Sequence, residues 1–217
     1  TGEVIMYIYI IRHGETKANE EGMLQGWMDE KLNESGVLLA ELTGKGLKGT
    51  KFDICFSSDL SRARDTAAIL LRESGNDCEI IEDRRLRELD MGDYQGKRFK
   101  GEKTEVDLDI VNTYFDEPRK LKSLPGGESI EEFISTQQEF LKEVARMDYE
   151  SVLISSHGCA VRAMLNFLYE DPSDFWQGRV PYNCAISIVE VKDNEMKLIV
   201  NDRIYYDRSY IVDRYAK

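Results

Sequence analysis

The stretch "VIMYIYII" runs straight into Arg12, His13 and Gly14. A continuous apolar run of this length reads as a buried strand. Strand-like and helix-like runs then alternate along the chain. Residues 34–48 read as a helix, with Val37, Leu38, Leu42 and Leu47 loosely on one face. "FDICFSS" is a second strand, and "DLSRARDTAAILL" a helix with Ser58 or Asp59 as its expected cap. "CEIIE" is a third strand. "SIEEFISTQQEFLKEVARM" is a long amphipathic helix opened by a capping box of Ser129 and Glu132. "SVLISS" is a strand and "AVRAMLNFLY" a helix. "CAISIVEVKDNEMKLIVND" is a terminal hairpin turning near Asp193 and Asn194.

This alternation predicts an α/β fold, a three-layer α/β/α arrangement around a largely parallel sheet. The 217 residues suit one domain with a core large enough to need no staples. The expected domain spans residues 1–217. Residues 97–124 are charge-rich and weakly periodic, and read as a lid excursion from it. The chain does not begin with Met, and a natural start at Met6 and extra residues ahead of it both stay open.

A net charge of −12 makes nucleic acid and anionic membrane poor non-specific partners. "EVIMYIYII" is too short to span a bilayer and lacks the basic flank and cleavage site of a secretory signal. Cys55, Cys78, Cys159 and Cys184 form no CxxC pair, and three of them lie in apolar runs. Reduced thiols in a cytoplasmic protein are the expectation.

Ligands of open α/β sheets bind at the carboxyl ends of strands, beside helix N-termini. The first strand ends in Arg12 and His13, and the fourth is followed by His157 and Gly158. Both of the chain's two histidines therefore emerge at one edge of the sheet. Arg62 joins them from the first turn of the helix after the second strand. Two fixed cations and two imidazoles suit a tetrahedral dianion such as a phosphoryl group.

"RHGETKAN" resembles the signature of the histidine phosphatase superfamily, the group containing cofactor-dependent phosphoglycerate mutase. "GMLQGWMDEKLNESG", "SSDLSRARDTA", "LRELDMGDYQGK", "PGGES" and "LISSHGCAVRAML" are similar to its later blocks, in order. The family commonly has Pro where this chain has Asp59 and Gln where it has Asp65. Asp65 sets a negative charge one helical turn from Arg62 and is expected to tune it.

The resemblance implies a metal-independent phosphomonoesterase without cofactor, acting on a small phosphorylated metabolite in two steps. His13 attacks phosphorus, and water hydrolyses the phosphohistidine. Arg12, Arg62 and His157 stabilise charge on the equatorial oxygens, and Glu88 protonates the leaving oxygen and later takes a proton from water. Asn19, Gln25 and Gly26 match positions that contact the phosphate or its neighbour. No nucleic-acid or membrane partner is implied, and a homodimer is left open. Two alternatives stand beside this reading: phosphoglycerate mutase-type transfer, and a non-catalytic binding module on the same fold. The interval 89–124 is much shorter than the corresponding insertion of glycolytic mutases, which favours hydrolysis.

Bland readings hold for neighbours of these residues. Glu15 braces its loop, and Arg162 is a structural ion-pair partner. Met23, Leu24 and Trp27 are either core or the wall of a leaving-group pocket. Lys97, Arg98, Lys100, Lys103, Arg119, Lys120 and Lys122 are either a solvated face or a grip on a second anion. Competing signatures fail. The Cys78–Arg84 spacing has the form of a cysteine phosphatase loop but is acidic and lacks glycine. "DLD" at 107–109 has no apolar strand before it. Two histidines make no three-histidine zinc site.

Overall fold

Side-chain alternation along β1 (Ile5–Arg12) decides the layers of this computed structural model, which describes residues 5–101 and 103–212. Ile8 and Ile10 face one way and Ile11 the other. The same split runs through β2 (Ile54–Ser57) and β4 (Ser151–Ser156). Ile54, Phe56, Val152 and Ile154 share the Ile8 face, and Cys55 and Leu153 share the Ile11 face. The first face packs on Phe140, Leu141 and Val144 of α5 (Ile130–Val144) and on Val161, Met164 and Leu165 of α6 (Gly158–Leu165). The second packs on Leu39 and Ala40 of α2 (Glu34–Gly46) and Ala67, Leu70 and Leu71 of α3 (Ser61–Ser74). Each buried Leu or Ile contributes about 1.5–3 kcal/mol to this three-layer packing.

The six strands lie in the order β3-β2-β4-β1-β5-β6, where β3 is Ile80–Glu82, β5 Ile186–Lys192 and β6 Glu195–Arg203. Strands β3, β2, β4 and β1 are mutually parallel, and the β5–β6 hairpin adds two antiparallel strands at the β1 side. Asp193 and Asn194 make its turn with φ of 52° and 65°, a left-handed pair that Asn and Asp tolerate. A third cluster joins Leu89, Met91, Phe99 and Leu124 to the start of α5, to Ala160 and Ala163 of α6, and to Phe175 and Trp176.

Several local expectations are corrected. Neither Ser58 nor Asp59 caps α3. Leu60 occupies the cap position without a side-chain bond, and Asp29 Oδ1 accepts from the Ser61 N–H and hydroxyl at 2.8 Å each. At α5, Ser129 Oγ accepts from the Glu132 N–H at 3.3 Å, the forward half of the box. Residues 97–124 contain a helix, α4 (Leu108–Asp116), capped by Asp107, whose carboxylate accepts from the Asp109 and Ile110 N–H groups. Only Val111 and Tyr114 of it are buried, which is why periodicity missed it. The four-residue α1 (Lys17–Glu20) was also invisible, being held by a reciprocal box of Thr16 and Asn19. All four cysteines are free thiols. Among the described residues, no helix is long and apolar enough to cross a membrane.

Arg162 is the buried ion-pair partner expected of it. It donates to Asp202, to the Tyr169 hydroxyl at 3.1 Å and to the Arg179 carbonyl at 2.9 Å. Arg162→Met strands all three acceptors, so a loss of about 3–5 kcal/mol in urea unfolding is expected. A loss below about 1 kcal/mol would show that water replaces the guanidinium.

Candidate active site

The parallel register of β1 and β4 sets Arg12 opposite Ser156. The next residue of each strand is a histidine, so His13 and His157 emerge side by side, with ring centroids 5.1 Å apart. The strand-end glycines serve protein packing. A Cβ on Gly14 would sit 2.6 Å from the Gly36 carbonyl oxygen of α2, and one on Gly158 would sit 2.9 Å from Val180.

His13 Nδ1 lies 2.7 Å from the Gly14 carbonyl oxygen. A carbonyl only accepts, so the proton is on Nδ1 and the Nε2 lone pair is available. Burial holds the His13 pKa well below its usual value, and the Arg62 and Arg12 charges add to this. The ring is therefore neutral at neutral pH, with Nε2 free to act as a base or nucleophile. His157 is lowered in the same way, by burial first and then by Arg62. Its Nε2 shares a 2.9 Å hydrogen bond with Ser58 Oγ, and its Nδ1 has no partner among the described residues.

Arg62 is the second residue of α3 and is fully buried. Its guanidinium donates to the Met28 carbonyl at 2.6 Å and the Gly26 carbonyl at 2.8 Å, which aims the fork while using only part of its donor set. Burial lowers its pKa to about 10, opposed by Glu88, Asp29 and Glu30, so it stays charged. Thr66 ties this turn to the His13 loop: its hydroxyl accepts from the Gly14 N–H at 2.9 Å and donates to the Arg62 carbonyl at 2.7 Å. Arg12 donates to the Pro181 carbonyl. Asp65 is not among the groups that act most on Arg62. It pairs with Arg64 at 3.5 Å, and the carboxylates acting on Arg62 come from elsewhere.

Glu88 sits at the N-terminus of α6. Its Oε2 accepts from the Cys159 N–H at 3.0 Å, and Oε1 from Ala160 at 3.1 Å and Leu89 at 2.9 Å. The helix has no side-chain cap of its own, so Glu88 supplies one. Burial raises the Glu88 pKa, and these backbone donors with Arg62 and Arg12 only partly offset it.

Arg12, His13, Arg62, Glu88, Asn19, Gln25 and Gly26 all line one open cleft. His157 lies behind it, outside the lining. Asn19 Oδ1 accepts from Asn183 at 3.3 Å, and Gln25 Oε1 accepts from the Thr16 hydroxyl at 2.9 Å. Met23 and Leu24 are lining residues, whereas Trp27 stands outside with its indole N–H on the Glu88 carbonyl at 2.8 Å. Glu15 braces its loop by accepting from Asn33 at 3.0 Å. None of the seven basic residues of 97–122 lines the cleft. Arg98 pairs with Glu21, Arg119 with Glu131 and Lys120 with Glu117. Sequence reasoning missed Phe99, Tyr114, Phe115, Trp176 and Val180, which form the cleft's apolar side. Among the described residues, no group of three or more His, Cys, Asp or Glu is placed to hold a metal ion.

The chain is similar to known proteins. A phosphoglycerate mutase, 2,3-bisphosphoglycerate-dependent, from Methylobacterium is 36% identical over 172 residues, 74% of this chain and 79% of that one. Fructose-2,6-bisphosphatase TIGAR from Xenopus tropicalis is 35% identical over 144 residues, 65% of this chain and 50% of that one. The solved structure of Bacillus stearothermophilus YhfR matches at 28% identity with a TM-score of 0.83, covering 92% of this chain and 98% of that one. The family model of the histidine phosphatase superfamily, branch 1, matches residues 8–202, from the first strand through both histidine-bearing strand ends to the last strand. The chain belongs to that superfamily.

Proposed function

We propose that this chain is a phosphomonoester hydrolase that works through a phosphohistidine on His13. The observation that carries the reading is the fixed Nδ1–H tautomer of His13, beside two buried arginines and a buried carboxyl group in one cleft. Nε2 attacks phosphorus as the ester P–O bond breaks, and the leaving oxygen takes a proton from Glu88. Water then attacks phosphorus, gives its proton to Glu88, and the P–N electron pair returns to Nε2. Arg12 and Arg62 neutralise the equatorial oxygens. His157 lies outside the lining but its ring centroid is 5.1 Å from that of His13, so a dianion bound in the cleft favours its charged form from nearby. A carboxylate offers about four lone-pair positions. Backbone N–H groups occupy three of those on Glu88, which leaves one for the transferred proton.

Water as acceptor is supported by the short interval 89–124. A binding module would not need the nucleophile, its tautomer lock and a proton donor together. The proposed cytoplasmic setting rests on the reduced thiols alone.

Phosphate release from p-nitrophenyl phosphate is expected to persist in excess EDTA and to be lost in His13→Ala. Alkaline trapping and mass spectrometry should find the phosphoryl group on His13. Phosphate on another side chain, or full activity without His13, would sink the mechanism.

Glu88→Gln should discriminate between leaving groups. An alkyl phosphate needs protonation and should slow by roughly 10²–10⁴-fold, a nitrophenyl phosphate far less in its first step. The Glu88 carboxyl group is the acid while protonated, so wild-type turnover of the alkyl ester falls as pH rises through its raised pKa. The acid limb lies below the ordinary histidine range, because His13 protonates late. Loss of the alkaline limb in Glu88→Gln is expected. Equal slowing of both esters with an unchanged profile would assign Glu88 a positioning role only.

A further inference from the structure

We infer that Ser58, which does not line the cleft, is a positioning residue: its hydroxyl holds the His157 ring as the Nδ1–H tautomer and so presets Nδ1–H as a hydrogen-bond donor for a phosphoryl oxygen beside His13. The identity of that anion rests on the phosphomonoesterase reading; the tautomer rests on side-chain geometry alone.

Counting protons around Ser58 decides the tautomer. Ser58 and His157 are both fully buried, so neither side chain falls back on bulk water. A serine hydroxyl offers one proton and two lone pairs. One lone pair accepts from the Leu60 N–H at 3.3 Å. Among the described residues the remaining partner of Oγ is His157 Nε2, at 2.9 Å. A ring carrying its proton on Nε2 would donate into the second lone pair and strand the hydroxyl proton without an acceptor. A bare Nε2 takes that hydroxyl proton instead. Burial and the neighbouring arginines keep His157 neutral, so its single ring proton then sits on Nδ1. Ser58 is held for this task by the backbone. Its N–H donates to the Ser155 carbonyl of β4 at 3.0 Å, and its carbonyl accepts from Ser57 Oγ at 2.9 Å.

The Nδ1–H has no partner among the described residues. Buried donors left unpaired are rare and call for an explanation. The fixed charges acting most on this ring are Arg62, Arg12 and Arg87, and guanidiniums carry donors only. The acceptor therefore arrives with the ligand. An oxyanion held by Arg12 and Arg62 next to His13 supplies one. The two imidazoles are thus locked by different means. The Gly14 carbonyl only accepts, whereas the Ser58 hydroxyl reverses its role. When the ring gains a second proton with the dianion, Oγ turns and accepts from Nε2–H. Nδ1 keeps its proton in both states.

The test uses the chain's two histidines, which give two ring systems after 15N-histidine labelling. His157→Asn assigns them. Both rings are expected as Nδ1–H at neutral pH, read from the long-range nitrogen–proton couplings. Ser58→Ala should shift His157 alone toward Nε2–H, the form a free histidine side chain prefers. It should also weaken binding of inorganic phosphate in calorimetry by about five- to tenfold, the worth of one hydrogen bond. Ser58→Thr keeps the hydroxyl and should restore both readouts. A wild-type His157 found as Nε2–H overturns the inference, and that spectrum decides the matter even if Ser58→Ala does not fold. An unmoved His157 tautomer or unchanged phosphate affinity in Ser58→Ala overturns it as well. Absence of ester hydrolysis, with the tautomer and the phosphate result as expected, would remove the phosphatase reading and leave the role of Ser58 toward a bound oxyanion standing.

Discussion

Pairing of β1 with β4 is the constraint from which the site follows. Parallel register fixes which residues leave the sheet together, and here it aligns Arg12 with Ser156. Two histidines separated by 144 positions (157 less 13) thereby become neighbours, without a loop having to bring them together. The serines of β4 fasten the surrounding elements to the same strand end. Ser155 Oγ donates to the Ala63 carbonyl of α3 at 2.7 Å, and Ser156 Oγ to the Leu86 carbonyl at 2.8 Å. A slip of one residue in this pairing would turn Ile8 and Ile10 away from α5 and α6, so the core enforces the site's register.

The electrostatics work against the protein's overall charge. Arg12 and Arg62 are buried guanidiniums in a strongly acidic chain. Their cost is limited because backbone carbonyls of Pro181, Gly26 and Met28 accept from them. Carbonyls orient a cation without neutralising it, which leaves the charge for an incoming dianion. The same two cations, together with burial, keep both imidazoles neutral before substrate arrives. One arrangement therefore sets two cations in the cleft and keeps the imidazole beside them neutral, as the proposed mechanism requires.

Much of this was legible in the sequence because it depends on strand ends. Apolar runs terminating in Arg12-His13 and before His157 place both imidazoles at one edge under any parallel arrangement. The helix bearing Arg62 follows by chain order. What stayed hidden depends on long-range contacts. Asp29 caps α3 from 32 positions away, so local capping patterns pointed to Ser58 and Asp59. The cleft's apolar side draws Phe99 and Phe115 from the charge-rich excursion and Trp176 from the segment after α6. No periodic signal links residues that meet only through tertiary packing. For the basic residues of 97–122 the sequence left a solvated face and an anion grip open; none lines the cleft, and Arg98, Arg119 and Lys120 pair with Glu21, Glu131 and Glu117.

Asp59, where the family commonly has Pro, has a structural reason in this chain. Its carboxylate takes Arg87 in a two-pronged ion pair, Nε to Oδ1 and a terminal nitrogen to Oδ2, both at 2.7 Å. Arg87 also lies over the Trp27 ring at 5.0 Å, while the Trp27 indole holds the Glu88 carbonyl. Arg87 precedes the proposed acid, and Asp59 follows Ser58, the partner of His157. The ion pair therefore ties the segment carrying Glu88 to the loop that orients His157. Proline would fix its own loop but leave Arg87 without this anchor. In the proposed mechanism Glu88 exchanges a proton while capping α6, and its cap weakens when the carboxylate is neutral. Anchoring its backbone through Arg87 and Trp27 keeps the carboxyl group in place in both protonation states. Geometry at Glu88 is thus set by neighbours that keep their charge whether or not the carboxyl group holds a proton.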